Sequence, residues 1–380
     1  MMNNNFKIFF RKFIWAIAAL YIGVLFPFVG LKTVKVAYRE IKSNIDFNSS
    51  LAAVTFGADK SLASHENDIN KENLPSVDEP SFDIADNTKN SKDNEISFTF
   101  VGDIMLDRNV ENSIYKNGAA DFSFVFENTD FLKESDIVFG NLEGPVSDKG
   151  EDLGNLYSFR MNPLVMPALE KAGFNVLSIA NNHTADWGKE AFLDTLDRLK
   201  QAGIVPVGGG EDRDDAEKVK IIEKNGFKVG FLAFTDVGPK WFGVKSDNPG
   251  ILLADVGLVK KLTARAKTDA DYVVVSFHFG NEYQTTASSR QEELAKSAID
   301  AGANIVVGHH PHVVQKIELY NGGIIAYSLG NFIFDQNFSE ETMEGVLLNV
   351  VFSGQHLSSV YKKRVKLNEF FQVYLSDYDN

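Results

Sequence analysis

From residue 96 onward, short apolar runs alternate with segments of helical periodicity. The runs ISFTFVGD, DIVFGNLE and FNVLSIANNH have the length of strands. In the next segment, KEAFLDTLDRLKQAG, residues Phe192, Leu193, Leu196 and Leu199 share one helical face, and Gly203 stands where a helix-ending glycine belongs. The same alternation returns in FKVGFLAFTD, DYVVVSFHFG, QEELAKSAIDAG and NIVVGHH. The pattern predicts an α/β fold built from strand, helix and strand in turn.

The C-terminal portion has a different pattern. The stretches KIELYNGGIIAYSLGNFIF and EGVLLNVVFSGQHLSSVYKKRVKLNEFFQVYL indicate strands joined by glycine-containing turns, with no helix between them. We therefore expect an α/β sandwich in which C-terminal strands complete or extend the sheets. No internal repeat is apparent.

The N-terminus carries a long apolar segment. Residues 13–31 are 19 consecutive positions without a charge, and as a helix at roughly 1.5 Å per residue they would span about 28 Å. A buried soluble helix is the weaker interpretation, because the run is apolar on every face. We expect residues 1–42 to form an uncleaved, single-pass membrane anchor, while the basic residues on both sides leave its orientation open.

Residues 43–95 have the composition of a linker. They carry 11 acidic and 4 basic side chains, few large apolar residues and no periodicity. A flexible chain of this length has a root-mean-square reach of about 40 Å. The expected organisation is an anchor, a disordered acidic linker and a folded domain at residues 96–380, on the extracytoplasmic side of the cell membrane.

Composition narrows the function classes. The chain has 380 residues, 44% of them hydrophobic, and a formal net charge of -14. A nucleic-acid role is disfavoured because binding phosphate backbones requires a basic surface. The absence of cysteine excludes disulfides, thiolate metal sites and thiol nucleophiles. Any metal must therefore be held by His, Asp, Glu or Asn.

Polar side chains follow five of the predicted strands. In α/β sheets, ligands collect beyond the carboxyl ends of the strands, so these side chains are expected at one edge. Carboxylates, an amide and imidazoles together suit Mn, Fe or Zn. Taken one at a time, each has an ordinary alternative, such as a turn, a helix cap or a hydrogen-bonded core histidine. The residues are Asp103, Glu143, Asn182, His183, His278, His309, His310 and His312.

The segment GHHPH is the densest of these clusters. Pro311 fixes the backbone between His310 and His312, so the two imidazoles can point at the same volume. His309 directly precedes His310 and is expected to face the other way.

Six motifs in order give the chain a family resemblance. FVGDIMLDR, GNLEGPVS, LSIANNHTADWG, FHFGNEY, GHHPHVVQ and YSLGNFIFD together resemble the CapA family of poly-γ-glutamate capsule biosynthesis proteins, related to calcineurin-like metallophosphoesterases. The resemblance covers about residues 96 to 340. It implies a metallophosphatase-like four-layer α/β/β/α sandwich, with one or two divalent ions at the edge that these loops form.

The resemblance also implies roles for individual residues. His183 takes the place of the catalytic histidine, and Glu143 that of the usual bridging aspartate. One departure stands out: Met105 occupies the position of the histidine in the usual Asp-x-His, so one metal position has lost a ligand. The implied metal ligands are Asp103, Glu143, Asn182, His278, His310 and His312.

Three residues near these motifs are candidate substrate contacts. Arg108 either contacts an anionic substrate or pairs with Asp107. Glu282 and Tyr283 closely follow His278 and are placed to meet substrate.

Three further polar residues have two interpretations each. Asn331 and Asp335, in SLGNFIFD, either line the rim of the site as substrate contacts or form a turn after a buried strand. Asp186 either orients His183 or caps the following helix, and we expect the cap.

Three functions remain open at this stage. The first is a membrane-anchored protein of poly-γ-glutamate or capsule-type polymer biosynthesis with a metal-dependent hydrolase site, in which His183 protonates the leaving group. The second is a non-catalytic component of assembly or export that binds the anionic polymer, alongside other capsule-synthesis membrane proteins. The third is a metallophosphoesterase that acts on another phosphoester of the cell envelope.

Overall fold

The computed structural model describes residues 94–376. The expected anchor and nearly all of the expected linker lie outside this range. Within it, no helix is long and apolar enough to cross a membrane.

Strands make up much of the described range, and three of them, β1, β14 and β15, have ten or more residues. The strands are β1 (Glu95–Ile104), β2 (Ile137–Leu142), β3 (Val176–Ser178), β4 (Val205–Val207), β5 (Gly209–Gly210), β6 (Lys220–Lys224), β7 (Phe227–Thr235), β8 (Gly250–Ile251), β9 (Tyr272–His278), β10 (Ile305–His309), β11 (Ile317–Tyr320), β12 (Gly323–Ala326), β13 (Asn331–Ile333), β14 (Glu344–Ser353), β15 (His356–Leu367) and β16 (Val373–Ser376).

Helices fill the connections between the strands that precede β11. They are α1 (Arg108–Asn117), α2 (Val165–Ala172), α3 (Gly188–Gln201), α4 (Arg213–Glu217), α5 (Val256–Asp269) and α6 (Ser289–Asp300). Short 3-10 turns lie at Phe122–Phe126, Asp130–Glu134, Lys240–Phe242 and Glu341–Met343. Gly203 follows α3 with a φ of +71°, as its predicted helix-ending role requires.

Two sheets carry the fold. The first has the order β16-β15-β14-β1-β2-β3-β4, with β13 also pairing β1, and the second has the order β11-β12-β10-β9-β7-β6. Strands β1 to β4 run parallel, as do β7, β9, β10 and β12. The C-terminal strands extend both sheets as predicted, since β14 to β16 add antiparallel to β1 and β11 adds antiparallel to β12.

Three apolar clusters separate the layers. Between the sheets lie mainly strand residues, among them Phe98, Phe139 and Phe231. Alternate residues of the same strands face outward. On the first sheet they meet α1, α2 and α3, and on the second they meet α5 and α6. The layers therefore run helix, sheet, sheet, helix, which confirms the mixed α/β prediction.

The alternation also sets which polar residues enter the space between the sheets. Asp103 is in register with Asn141 on β2 and with Asn331 on β13, while His278 is in register with His309. Asp103, Asn141, His278 and His309 lie at or next to the ends of parallel strands, and Asn331 begins β13 beside Asp103. This edge of the sandwich is where ligands are expected in α/β sheets.

Candidate metal centre

Glu143 lies at the centre of the acidic and histidine side chains at this edge of the sandwich. It directly follows β2, is fully buried, and neither of its carboxylate oxygens has a hydrogen-bond partner. Its Oε1 lies 3.9 Å from Nε2 of His183, 3.9 Å from Nε2 of His278 and 3.8 Å from Nε2 of His312. The separations from His278 and His312 are too long for hydrogen bonds but suit donors that share an ion, each about 2.0–2.2 Å from it, while the third leaves Nε2 of His183 facing the same carboxylate.

Asp103, at the end of β1, is held from several sides. Its Oδ1 accepts a hydrogen bond from the Asn141 amide at 2.8 Å, and its Oδ2 accepts one from the backbone N–H of His310 at 3.1 Å. Burial alone would raise the pKa of Asp103, but the imidazoles of His309 and His312 hold it well below its usual range. Asp103 is therefore a carboxylate at neutral pH.

The titration of the other groups follows from their burial and neighbours. Burial, and then the Asp103 charge, raises the pKa of Glu143 well above its usual range. Burial lowers the pKa of His278 strongly, and that of His310 to about 3. Neutral imidazoles are the form that binds metals.

His312 titrates in the opposite sense. Burial would lower its pKa, but the nearby carboxylates of Glu143 and Asp103 raise it to about 9. The proton on His312 thus supplies the positive charge that a bound cation would otherwise supply to these carboxylates. Any cation bound between these carboxylates must displace it, so binding releases a proton.

Two groups of donors within the described residues are compact enough to hold an ion. In each group the potential ligand atoms all lie within 4.8 Å of one another. Asn182 joins the first group, because its Oδ1 is 2.6 Å from Nε2 of His278. The groups are Asp103 with Glu143 and His278, and Glu282 with His310 and His312. The unpartnered carboxylate of Glu143 and the mixed oxygen and nitrogen donors fit a divalent transition metal.

The HHPH segment needs an unusual backbone to bring its rings together. His310 and His312 both have positive φ, at 95° and 58°. Their ring centroids lie 5.9 Å apart, and Nδ1 of His312 lies 3.0 Å from Oδ1 of Asn331. Positive φ is uncommon for residues other than glycine and is concentrated at functional sites.

His183 is oriented by Asp186 and Phe159. Its Nδ1 lies 2.8 Å from Oδ2 of Asp186, which also accepts the backbone N–H of Phe159 at 2.9 Å. The Phe159 ring stacks on the imidazole with 3.9 Å between centroids. The expected helix cap is wrong, because α3 begins after Trp187 with no side-chain cap. The buried carboxylate of Asp186 is instead occupied by His183, Phe159 and Asn155.

Comparison with known protein families shows the family to which this chain belongs. Residues 97–336 match the family model described as bacterial capsule synthesis protein PGA_cap. The chain belongs to the PGA_cap family.

Two Bacillus proteins show how far the similarity extends. The chain is 41% identical over 254 residues to the PGA biosynthesis protein CapA of Bacillus subtilis, which covers 66% of each chain. It is 39% identical over 262 residues to the capsule biosynthesis protein CapA of Bacillus anthracis, which covers 66% of this chain and 62% of that one. The chain thus spans slightly less than two thirds of the length of these relatives.

A solved structure similar to this one is the calcineurin-like phosphoesterase YfkN of Bacillus subtilis. The likeness has a TM-score of 0.40 at 14% identity and covers 74% of this chain and 88% of that one. The layer order given above rests on the sheets and apolar clusters of the chain itself.

Met105 stays a departure in this PGA_cap site. It is fully buried, packs into the apolar cluster under α1 to α3, and its sulfur accepts the backbone N–H of Asp107 at 3.2 Å. A thioether is also a poor ligand for the harder metals.

Two of the sequence expectations for the PGA_cap motifs need correction. Arg108 forms an ion pair with Asp335 rather than with Asp107, whose Oδ1 accepts the backbone N–H of Arg108 at 2.6 Å. Asn331 does not line the rim, because it is fully buried and its amide is bonded to His312, Gln336 and Thr342.

Asn141 of this site escapes sequence reasoning, and His309 does not face away from the site as expected. Asn141 donates to Asp103, and its Nδ2 lies 3.3 Å from Nδ1 of His278. Asn141 lies two residues after Phe139 on β2, so both side chains are on the same face of the strand. This alternation could have predicted that Asn141 enters the site. His309 does not leave the site: its Nδ1 lies 3.4 Å from Oδ1 of Asp103, and its ring is 6.2 Å from that of Phe139.

Proposed function

We propose that this chain is a membrane-anchored, extracytoplasmic protein of poly-γ-glutamate or capsule-type polymer biosynthesis, with a metal-dependent hydrolase-like site in its PGA_cap domain. The observation that carries the hydrolase part is the buried Glu143 carboxylate, which has no hydrogen-bond partner and faces three imidazole nitrogens at 3.8 to 3.9 Å. Native proteins rarely leave a buried carboxylate without partners, so the gap points to a cation.

The residues that would hold one or two ions of Mn, Fe or Zn come from separate strand ends. When bound, such an ion acts as a Lewis acid that makes water nucleophilic at neutral pH and polarises the bond under attack. Glu282, exposed beside His310 and His312, is a further candidate ligand outside the expected set, because its negative charge disfavours contact with an anionic substrate. The proposed ligands are Asp103, Glu143, Asn182, His278, His310 and His312.

His183 is the proposed general acid. Because Nδ1 faces Asp186, its Nε2 is left toward Glu143, and the side chain is 12% exposed, enough to meet a substrate. A proton on Nε2 can pass to the leaving group as the bond breaks. Tyr283, a residue that is 42% exposed and whose ring centroid lies 6.2 Å from that of His312, is a proposed substrate contact.

A second candidate function is a non-catalytic component that binds the anionic polymer. The observation in its favour is Met105, whose buried thioether gives no nitrogen or oxygen donor beside Asp103. A site that has lost a ligand can still hold one ion and a polymer without cutting it.

Metal content and cleavage together decide between these functions. The purified full-length chain is analysed for metals and then incubated with γ-glutamyl peptides and a panel of phosphoesters. Bound metal with cleavage of a γ-glutamyl bond supports a hydrolase of polymer biosynthesis, while cleavage of phosphoesters alone supports an envelope phosphoesterase. Bound metal and polymer binding without cleavage of either class would support the non-catalytic function.

External protease in intact cells tests the proposed orientation. An extracytoplasmic domain exposes the acidic segment at residues 43–95 to the protease, and a domain of about 280 residues is released. Protection of that segment in intact cells, with cleavage only after lysis, would refute this orientation.

A further inference from the structure

Arg108 lies near the proposed acid, and only some of its guanidinium donors have partners. Its side chain is 31% exposed, and only Nη2 contacts the carboxylate of Asp335. Its Nε is buried and has no hydrogen-bond partner. Since a guanidinium can give two parallel hydrogen bonds to one oxyanion, Arg108 has a donor to spare.

Two aromatic rings connect Arg108 to the site. The guanidinium carbon lies 4.5 Å from the centroid of Phe159 and 6.0 Å from that of Phe334. Phe159 stacks on His183, while the Phe334 ring lies 4.8 Å from that of His312. Phe159 and Phe334 thus connect the Arg108 guanidinium to the proposed acid, His183, and to the proposed ligand His312.

The backbone of Arg108 is specified as well. Arg108 is the first residue of α1 and has a φ of +55°, which is costly for a long side chain. Asp335 is buried and accepts both the guanidinium and the backbone N–H of Asn109. These contacts fix the direction of a side chain that would otherwise be flexible.

We propose that Arg108 binds an oxyanion of the substrate, either a carboxylate or a phosphoryl group, and that Asp335 and Phe159 are its positioning residues. The proposal rests on the proposed function, because the anion would belong to the substrate of that site. Arg108 would donate through Nε and the N–H of Nη2 that lies beside it, while Asp335 keeps the second N–H of Nη2.

Affinity for two anions tests the proposal. The metal-loaded full-length chain is titrated with inorganic phosphate and with a γ-linked glutamate oligomer, in the wild type and in Arg108→Lys. The lysine keeps the charge but loses the forked donor, so the affinity for at least one anion should fall about tenfold. A loss for phosphate alone identifies a phosphoryl site, and a loss for the oligomer alone a carboxylate site. Unchanged affinity for both would overturn the proposal.

Asp335→Asn separates positioning from simple electrostatics. Removing a negative charge beside the site should tighten anion binding if Asp335 only competes with the anion. A positioning role predicts weaker binding, and tighter binding would overturn it.

Matched controls keep the outcomes distinct. Arg213→Lys alters an arginine that pairs with Glu217 on α4 and should leave both affinities unchanged. Metal content is measured in every variant and should equal that of the wild type. A wild type without metal would reject the proposed function itself, whereas normal metal content with unchanged anion affinity in Arg108→Lys rejects only this inference.

Discussion

Oε1 of Glu143 lies 3.8 Å from Nε2 of His312, with both side chains buried and no hydrogen bond to either carboxylate oxygen. The nearby carboxylate raises the pKa of the His312 imidazole to about 9. Because Glu143 is also buried, which raises its own pKa, a positive charge beside it is strongly stabilising. Buried charges in proteins are paired with other charges or coordinate metals.

Replacing Glu143 should have opposite effects with and without metal. In chelator at pH 8, Glu143→Gln should be about 1–2 kcal/mol more stable than the wild type, because it removes a buried carboxyl group without partners. Its raised pKa means that the penalty grows as pH rises above the unfolded pKa and is complete above the folded one. With metal at a hundred times its Kd, the wild type should gain about 2.7 kcal/mol that the variant lacks. Thermal and denaturant unfolding measure both effects.

Glu190→Gln is the control for this prediction. Glu190 is an exposed carboxylate in the first turn of α3, and its replacement should leave the metal-dependent gain intact. An equal metal-dependent gain in Glu143→Gln would show that the ion binds elsewhere.

Removing the Asp186 carboxylate should impair the proposed acid without emptying the metal centre. Asp186→Asn puts a neutral amide in place of the carboxylate that holds Nδ1 of His183, so kcat for a cleaved substrate should fall about 100-fold while metal content stays unchanged. Asp197→Asn, an exposed aspartate of α3, is the control. Wild-type kcat in Asp186→Asn would remove His183 from the mechanism.

The loop after Glu143 should become less stable in acid through Asp194. Burial would raise the pKa of Asp194, but contacts with Lys149, Ser147 and Arg198 lower it. The stabilisation is therefore complete above the unfolded pKa of about 3.8 and is lost as pH falls through the lower folded pKa.

Asp194→Asn should accordingly cost about 1–2 kcal/mol at pH 7, and the difference from the wild type should shrink below pH 4. Denaturant unfolding at pH 7 and pH 3 measures it. A cost that is the same at both pH values would mean that packing, and not charge, holds this loop to α3.

Much of the fold follows from the sequence because its apolar runs and helical periods are local signals. The runs ending in Asp103, His278 and His309 became β1, β9 and β10, and the glycine-rich C-terminal portion became strands. What the local pattern could not give is sheet order, since β14 joins β1 across some 250 residues of chain.

For the site, too, the sequence predicted what local signals carry and missed contacts between residues far apart in the chain. Strand-end reasoning identified Asp103, Glu143 and His278, because parallel strands bring their ends to one edge. It could not assign Asp335 to Arg108, because that contact joins positions 227 residues apart. It also favoured a cap for Asp186, since sequence adjacency to α3 gave no sign of the loop that brings Phe159 onto His183.

Elemental analysis of the purified full-length chain tests the central claim most directly. We expect at least one Mn, Fe or Zn ion per chain in the wild type, and clearly less in a double variant with His310→Ala and His312→Ala. A wild type without transition metal, together with a double variant that retains function, would contradict the metal-dependent hydrolase.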